Sequence, residues 1–141
     1  MKLGLNKRTG RIKLEDKIKE ILLYKRILEW NKNYIILEDG TTLQVKCLYH
    51  ECCAYGSGIW SNVKLDAVIT DIKLEGVKKN SGFDYGESYT TAKIMIYHNQ
   101  NIVAQNEMFT NNGNGGYYYS VTGLLVTLPD KSRLDGFEIR S

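Results

Sequence analysis

The stretch Tyr89-Thr90-Thr91-Ala92-Lys93-Ile94-Met95-Ile96-Tyr97 decides the fold, together with its continuation through Asn99-Gln100-Asn101 into Ile102–Phe109. Ala92, Ile94 and Ile96 fall on one face of an extended chain. Thr91, Lys93, Met95 and Tyr97 fall on the other. Alternation of this kind is the mark of a strand with one buried side. Asn99-Gln100-Asn101 reads as a turn, so residues 89–109 form a hairpin.

Working outward, the same signal recurs. Tyr34–Leu37, Glu38-Asp39-Gly40 and Thr41–Leu48 read as a second hairpin, with Asp39-Gly40 supplying the positive φ of a tight turn. Leu43, Val45 and Cys47 share its inner face. Val68–Val77 alternates, with Val68, Thr70, Ile72, Leu74 and Gly76 on one side and Ile69, Asp71, Lys73 and Glu75 on the other. Tyr49–Ser61 reads as a loop or irregular edge, with a short strand starting at Ile59-Trp60. Residues 78–87 read as a polar loop. Tyr117–Leu128 reads as a last long strand, bent at Gly123. Residues 12–30 fit either a helix or a strand. Asp16 would cap a helix, and a first strand at Ile21–Tyr24 is preferred.

The resulting expectation is a mainly β chain, or α+β with one or two short helices. Its seven or eight strands form a twisted, mostly antiparallel sheet, partly rolled. Residues 1–11 are a basic flexible arm, 12–129 a single β-rich domain, and 130–141 a short C-terminal tail. In that tail Leu134, Phe137 and Ile139 are placed to pack back.

Composition narrows the function. The chain has 141 residues, one proline, thirteen glycines and ten tyrosines. That suits sheet and turns better than a helical bundle. Three cysteines, an odd number, argue against a disulfide scaffold. No signal peptide and no apolar run of spanning length is visible, so a cytoplasmic protein with no membrane contact is expected. Net charge is +3 but uneven: residues 1–26 hold nine Lys/Arg against three Asp/Glu, and the remaining 115 hold ten against thirteen. Arg8 and Arg11 lie in that basic lead, which would meet an acidic or nucleic-acid-binding partner. Direct nucleic-acid binding is not expected, because aromatics and basic residues do not interleave.

Two clusters stand out. His50-Glu51-Cys52-Cys53 sets two thiols beside an imidazole. A zinc site would want Cys-x-x-Cys spacing, which is absent. The only other histidine is His98, so a set of His50, Cys52 or Cys53, and His98 is the remaining arithmetic. A cysteine nucleophile would need a positioned base and an oxyanion donor, and none identifies itself. The preferred reading packs one of the two cysteines beside a sharp turn. No metal, cofactor or enzymatic activity is therefore expected. The second cluster is Asn111–Ser120, with Asn114, Tyr117, Tyr118 and Tyr119. It lacks a phosphate-loop pattern. Its composition fits either a flexible connection or a recognition surface, because tyrosine gives large contact area at low entropy cost.

Asp39-Gly40-Thr41, Tyr49–Cys53, Asp71-Ile72 and Asn114–Ser120, taken in order over roughly residues 18–126, resemble a family of small uncharacterised domains encoded by bacteriophages and prophages. Those domains carry a His, then an Asp-Cys-Cys-Glu step, and a C-terminal Asn-Gly-Tyr-Tyr-Ser motif. This chain has Glu51 where the family has Asp, Ala54 where it has Glu, and no Trp in Ile102–Phe109. The resemblance implies a phage or mobile-element accessory protein in the cytoplasm of a bacterial host. It further implies a binding function, such as inhibition of a bacterial defence protein (a CRISPR effector, for example) by direct occlusion. Asn114, Tyr117, Tyr118, Tyr119, His50, Arg8 and Arg11 are the expected contact residues. Alternatives are a sponge for a defence nucleotide, a structural phage protein, or a cysteine-dependent enzyme. A homo-oligomer is left open.

Overall fold

The computed structural model describes residues 10–81, 86–113 and 118–141. Among these residues one helix, α1 (Gly10–Leu22), precedes nine strands. These are β1 (Ile27–Trp30), β2 (Ile35–Leu37), β3 (Thr42–His50), β4 (Tyr55–Ser61), β5 (Asp71–Ser81), β6 (Ser88–His98), β7 (Asn101–Asn111), β8 (Ser120–Thr127) and β9 (Arg133–Arg140). All strand pairs are antiparallel. The sheet runs β1-β2-β3-β4-β7-β6-β5, and β8 joins it through β3 with β9 outside β8. The expected twisted, mostly antiparallel sheet with a short helix is what forms.

The sheet folds over on itself. One layer is β4-β7-β6-β5, the other β2-β3-β8-β9. Between them lie Ile94, Ile96, Leu43, Leu124 and Val126, each without exposed surface. The Thr90 hydroxyl donates to the Arg140 carbonyl at 2.7 Å, joining β6 to β9 across the layers. Gly58 marks how close the layers come, for a Cβ there would overlap Val45 Cγ1 and Cβ on β3.

Residues 12–30 resolve the ambiguity against the preferred first strand at Ile21–Tyr24. Ile18 and Leu22, four apart, are fully buried, as one helical face requires. Asp16 sits inside the helix rather than at its start. Tyr24 ends the helical run with φ 65°, the left-handed conformation common past a helix C-terminus. Its amide is satisfied by the Ile69 carbonyl at 2.7 Å. The helix packs on β9, and the Glu15 carboxylate accepts the Phe137 amide at 2.9 Å.

Several boundaries also move. Residues 1–9 of the expected arm lie outside the described residues, while Gly10 and Arg11 belong to α1. The expected tail is strand β9, with Phe137 and Ile139 buried and Leu134 packed at the core edge. The expected loop at Tyr49–Ser61 contains strand β4. Residues 78–81 continue β5 beyond a bulge at Glu75/Lys78, where Gly76 has φ 67°. Ile69, expected to face outward, is 1 % exposed because it precedes β5 and bonds to Lys25 instead. The hairpins at 34–48 and 89–109, and the irregularity at Gly123, form as expected.

Candidate functional site

Strand β3 pairs with β8 over its whole length, and this pairing carries the site. It sets His50 opposite Ser120 and Tyr49 opposite Val121. The two sequence clusters, sixty residues apart, therefore meet at one end of the sandwich. The Glu51 amide donates to the Tyr119 carbonyl at 3.1 Å. The Tyr49 and Tyr119 rings lie 5.3 Å apart at 40°, a tilted aromatic pair. The Arg140 guanidinium, from β9, sits over Tyr119 at 3.9 Å from the ring centre.

Beneath this surface is a buried polar knot. The Ser120 hydroxyl lies against the Thr110 hydroxyl, the Tyr55 carbonyl at 3.0 Å and the Asn111 carbonyl at 2.9 Å. The Ser141 hydroxyl accepts the Ser120 amide at 3.0 Å. Asn112 bridges the β6 entry, accepting the Ser88 amide at 3.0 Å and donating to the Gly86 carbonyl at 2.8 Å. Asn111 donates to Glu87 at 3.0 Å and accepts the Gly113 amide at 2.6 Å. Buried polar groups that find every partner fix geometry more sharply than apolar packing does. Here they hold the backbone on which the aromatic surface is mounted.

That surface has an apolar and a polar part. Tyr49, Tyr55 and Tyr118 are 49, 53 and 42 % exposed, and His50 and Arg140 are also exposed. Tyr55 and Tyr89 flank Phe109 at 5.9 and 5.6 Å, a second aromatic row that runs along β4, β7 and β6. The Glu51 carboxylate raises the pKa of the neighbouring Tyr49 phenol, which donates to it at 3.4 Å. Tyr49 therefore stays protonated as a hydrogen-bond donor.

The cysteines occupy the adjoining turn. The Ala54 amide donates to the Glu51 carbonyl at 2.9 Å, closing a turn with Cys52 and Cys53 at its centre. Both are exposed, with Sγ atoms 2.8 Å apart. The expectation that one of them packs is thus corrected: a turn, unlike a strand, points both outward. Cys47 is half-buried in phase with Val45, and burial raises its thiol pKa.

Of the expected contact residues, Tyr118, Tyr119 and His50 come together. Arg8, Asn114 and Tyr117 lie outside the described residues, as does the side chain of Arg11. His98 ends β6 beside Asn101, whereas the His50 end adjoins Asn111. Ten residues of β7 at roughly 3.3 Å each separate those ends by about 30 Å, so His50 and His98 cannot share an ion. No group of three or more His, Cys, Asp or Glu among the described residues is arranged to hold a metal. No helix among them is long and apolar enough to cross a membrane.

Sequence reasoning missed Arg140, Tyr49 and Tyr55. Arg140 was hidden in a segment read as tail, although Ile139 beside it was expected to pack inward. A groove of about 630 Å³ also went unforeseen; it lies on the outer face between Ile59, Met95, Phe109 and the Glu107 and Lys93 pair.

No curated protein and no solved structure matches the chain. A family model, the domain of unknown function DUF7448, matches residues 20–125. The match runs from the last turn of α1 through most of β8, and so includes both converging clusters; the chain belongs to the DUF7448 family.

Proposed function

We propose that this chain is a binding protein and that its contact surface is the composite end formed by Tyr49, His50, Tyr55, Tyr118, Tyr119 and Arg140. The observation that carries this reading is the convergence of the two clusters on a rigid polar knot, with three tyrosines exposed above it. Tyrosine and arginine are the side chains that dominate protein contacts, through large area, few rotors and fixed hydrogen-bond geometry. Tyr119 and Arg140 already hold each other, so a partner meeting them loses little side-chain entropy.

The proposed partner is a bacterial host protein, and the proposed mode is occlusion. The resemblance to phage- and prophage-encoded domains supports that class, with a bacterial defence protein such as a CRISPR effector as the target. A nucleotide sponge would need a concave site at the Tyr cluster.

The test is capture from bacterial lysate by the immobilised chain, with mass spectrometry of both proteins and released small molecules. A protein retained by the wild type and lost with Tyr119→Ala and Arg140→Ala supports the reading. Retention unchanged by both variants places the contact elsewhere. Release of an intact nucleotide on denaturation favours the sponge.

A further inference from the structure

Glu51–Ala54 is more than a tight connection between β3 and β4. Cys52 and Cys53 are adjacent, both solvent-exposed, and their sulfurs are 2.8 Å apart. Cys52 adopts φ 41°, a left-handed conformation that costs energy for a residue with a side chain. The Ala54 amide locks the turn by its bond to the Glu51 carbonyl. On a strand the two side chains would point to opposite faces; this turn brings them to the same side.

We propose that Cys52 and Cys53 form a dithiol site that reacts reversibly with low-molecular-weight disulfides of the glutathione type, closing to a disulfide between neighbouring residues. The Cys52 thiolate attacks one sulfur of the small disulfide, forming a mixed disulfide and expelling one thiolate, which takes a proton from water. The Cys53 thiol then gives its proton to solvent and attacks the Cys52 sulfur, expelling the second small thiol. Two protein thiols and one small disulfide become one protein disulfide and two small thiols. The same closed form results whichever of the two sulfurs attacks first, since the pair lies on one side of the turn.

The closed form is labile for a geometric reason. Disulfides ordinarily join Cα atoms about 4.4–6.8 Å apart. Adjacent residues across a trans peptide are held at about 3.8 Å. The bond therefore stores strain and reopens under mild reduction, as regulatory rather than structural disulfides do.

Closure also has somewhere to act. A Cβ at Gly113 would stand 2.7 Å from both the Cys53 carbonyl carbon and its oxygen, so the Gly113 backbone lies directly against that peptide. Any rotation of the Cys52–Cys53 unit presses on the segment that Asn111 and Asn112 anchor. The chemistry is independent of the proposed partner, and the test reads it without one.

The full chain is equilibrated with a series of oxidised-to-reduced glutathione ratios, trapped with a thiol alkylator and weighed intact. The closed protein should lack two hydrogens and accept alkylation at Cys47 alone. Excess reduced glutathione should reopen it. Cys52→Ser and Cys53→Ser should each stop at a stable glutathione adduct, while Cys47→Ser closes as the wild type does. Oxidation should alter hydrogen exchange at the Gly113 amide in the wild type and leave it unchanged in Cys52→Ser. A bridge to Cys47, a disulfide between two chains, or a persistent adduct on the wild type would overturn the proposal. So would a closed form that resists excess reduced glutathione, or Gly113 exchange that ignores closure.

Discussion

In the middle of the sandwich Ile94, Ile96, Leu43, Leu124 and Val126 have no exposed surface and are oriented only by shape. At the Ser120 end Ala54 and Ile139 are buried beside the polar side chains of Thr90, Thr110, Asn111, Asn112, Ser120 and Thr122, which hydrogen bonds orient. The middle supplies stability through apolar burial, at roughly 25 cal/mol per Å². The end supplies little of that. It supplies direction, and it carries the exposed tyrosines. Rigid polar backing beneath an aromatic surface is what a contact site requires, since ordering it on binding would cost affinity.

This contrast makes its own tests. The largest stability loss belongs to the middle. Ile94→Ala removes a fully buried side chain between the layers. It should cost about 2–5 kcal/mol in denaturant unfolding and leave binding by the folded fraction intact. A loss under 1 kcal/mol would mean that the middle is not the stabilising region.

Next comes the knot. Ser120→Ala strips the hydroxyl shared by Thr110, Tyr55 and Asn111. The buried Thr110 hydroxyl loses a partner, so the cost should be about 1–3 kcal/mol. Unlike Ile94→Ala, it should also speed hydrogen exchange at the Glu51 amide, which bonds to the adjoining Tyr119 carbonyl. Destabilisation without faster exchange there would separate the knot from the surface.

Arg140→Ala should barely move stability, by about 0.5–1 kcal/mol, since its cation–π contact is exposed. Its effect should appear in binding instead.

The smallest effect lies at the β2–β3 turn, far from the site. Burial alone would raise the Asp39 pKa, but the Lys25 ammonium at 2.7 Å and the Thr41 hydrogen bonds override it and lower it to about 2. A carboxylate depressed on folding stabilises above its unfolded value and loses that contribution as pH falls toward the folded one. Wild type should therefore lose slightly more stability than Asp39→Asn between about pH 4 and pH 2. Identical acid profiles would show that the exposed ion pair contributes nothing.

The two regions also differed in legibility. The β6–β7 hairpin could be read because every second residue from Ala92 to Ile96 is apolar and stays in register. Strand β9 could not, because Gly136 and Phe137 are both buried, with Phe137 at φ 53°, and the period breaks there. The helix was masked because Ile18, Ile21 and Leu22 satisfy two periods at once. The residue types of the site were visible in the sequence. Their meeting was not, since it depends on β3 pairing with β8 some seventy residues later, and no local pattern records that pairing. The Arg140 contact needed β9 as well.

The central claim is that the Tyr119 and Arg140 end is the contact surface. It is tested most directly by measuring the captured partner's affinity for folded variants from both ends of the sandwich. Tyr119→Ala should weaken binding about 30-fold or more, as loss of a contact worth about 2 kcal/mol would. Ile102→Ala, on the exposed flank near His98, should bind as the wild type does. Undiminished affinity in Tyr119→Ala, with loss in Ile102→Ala, would contradict the account.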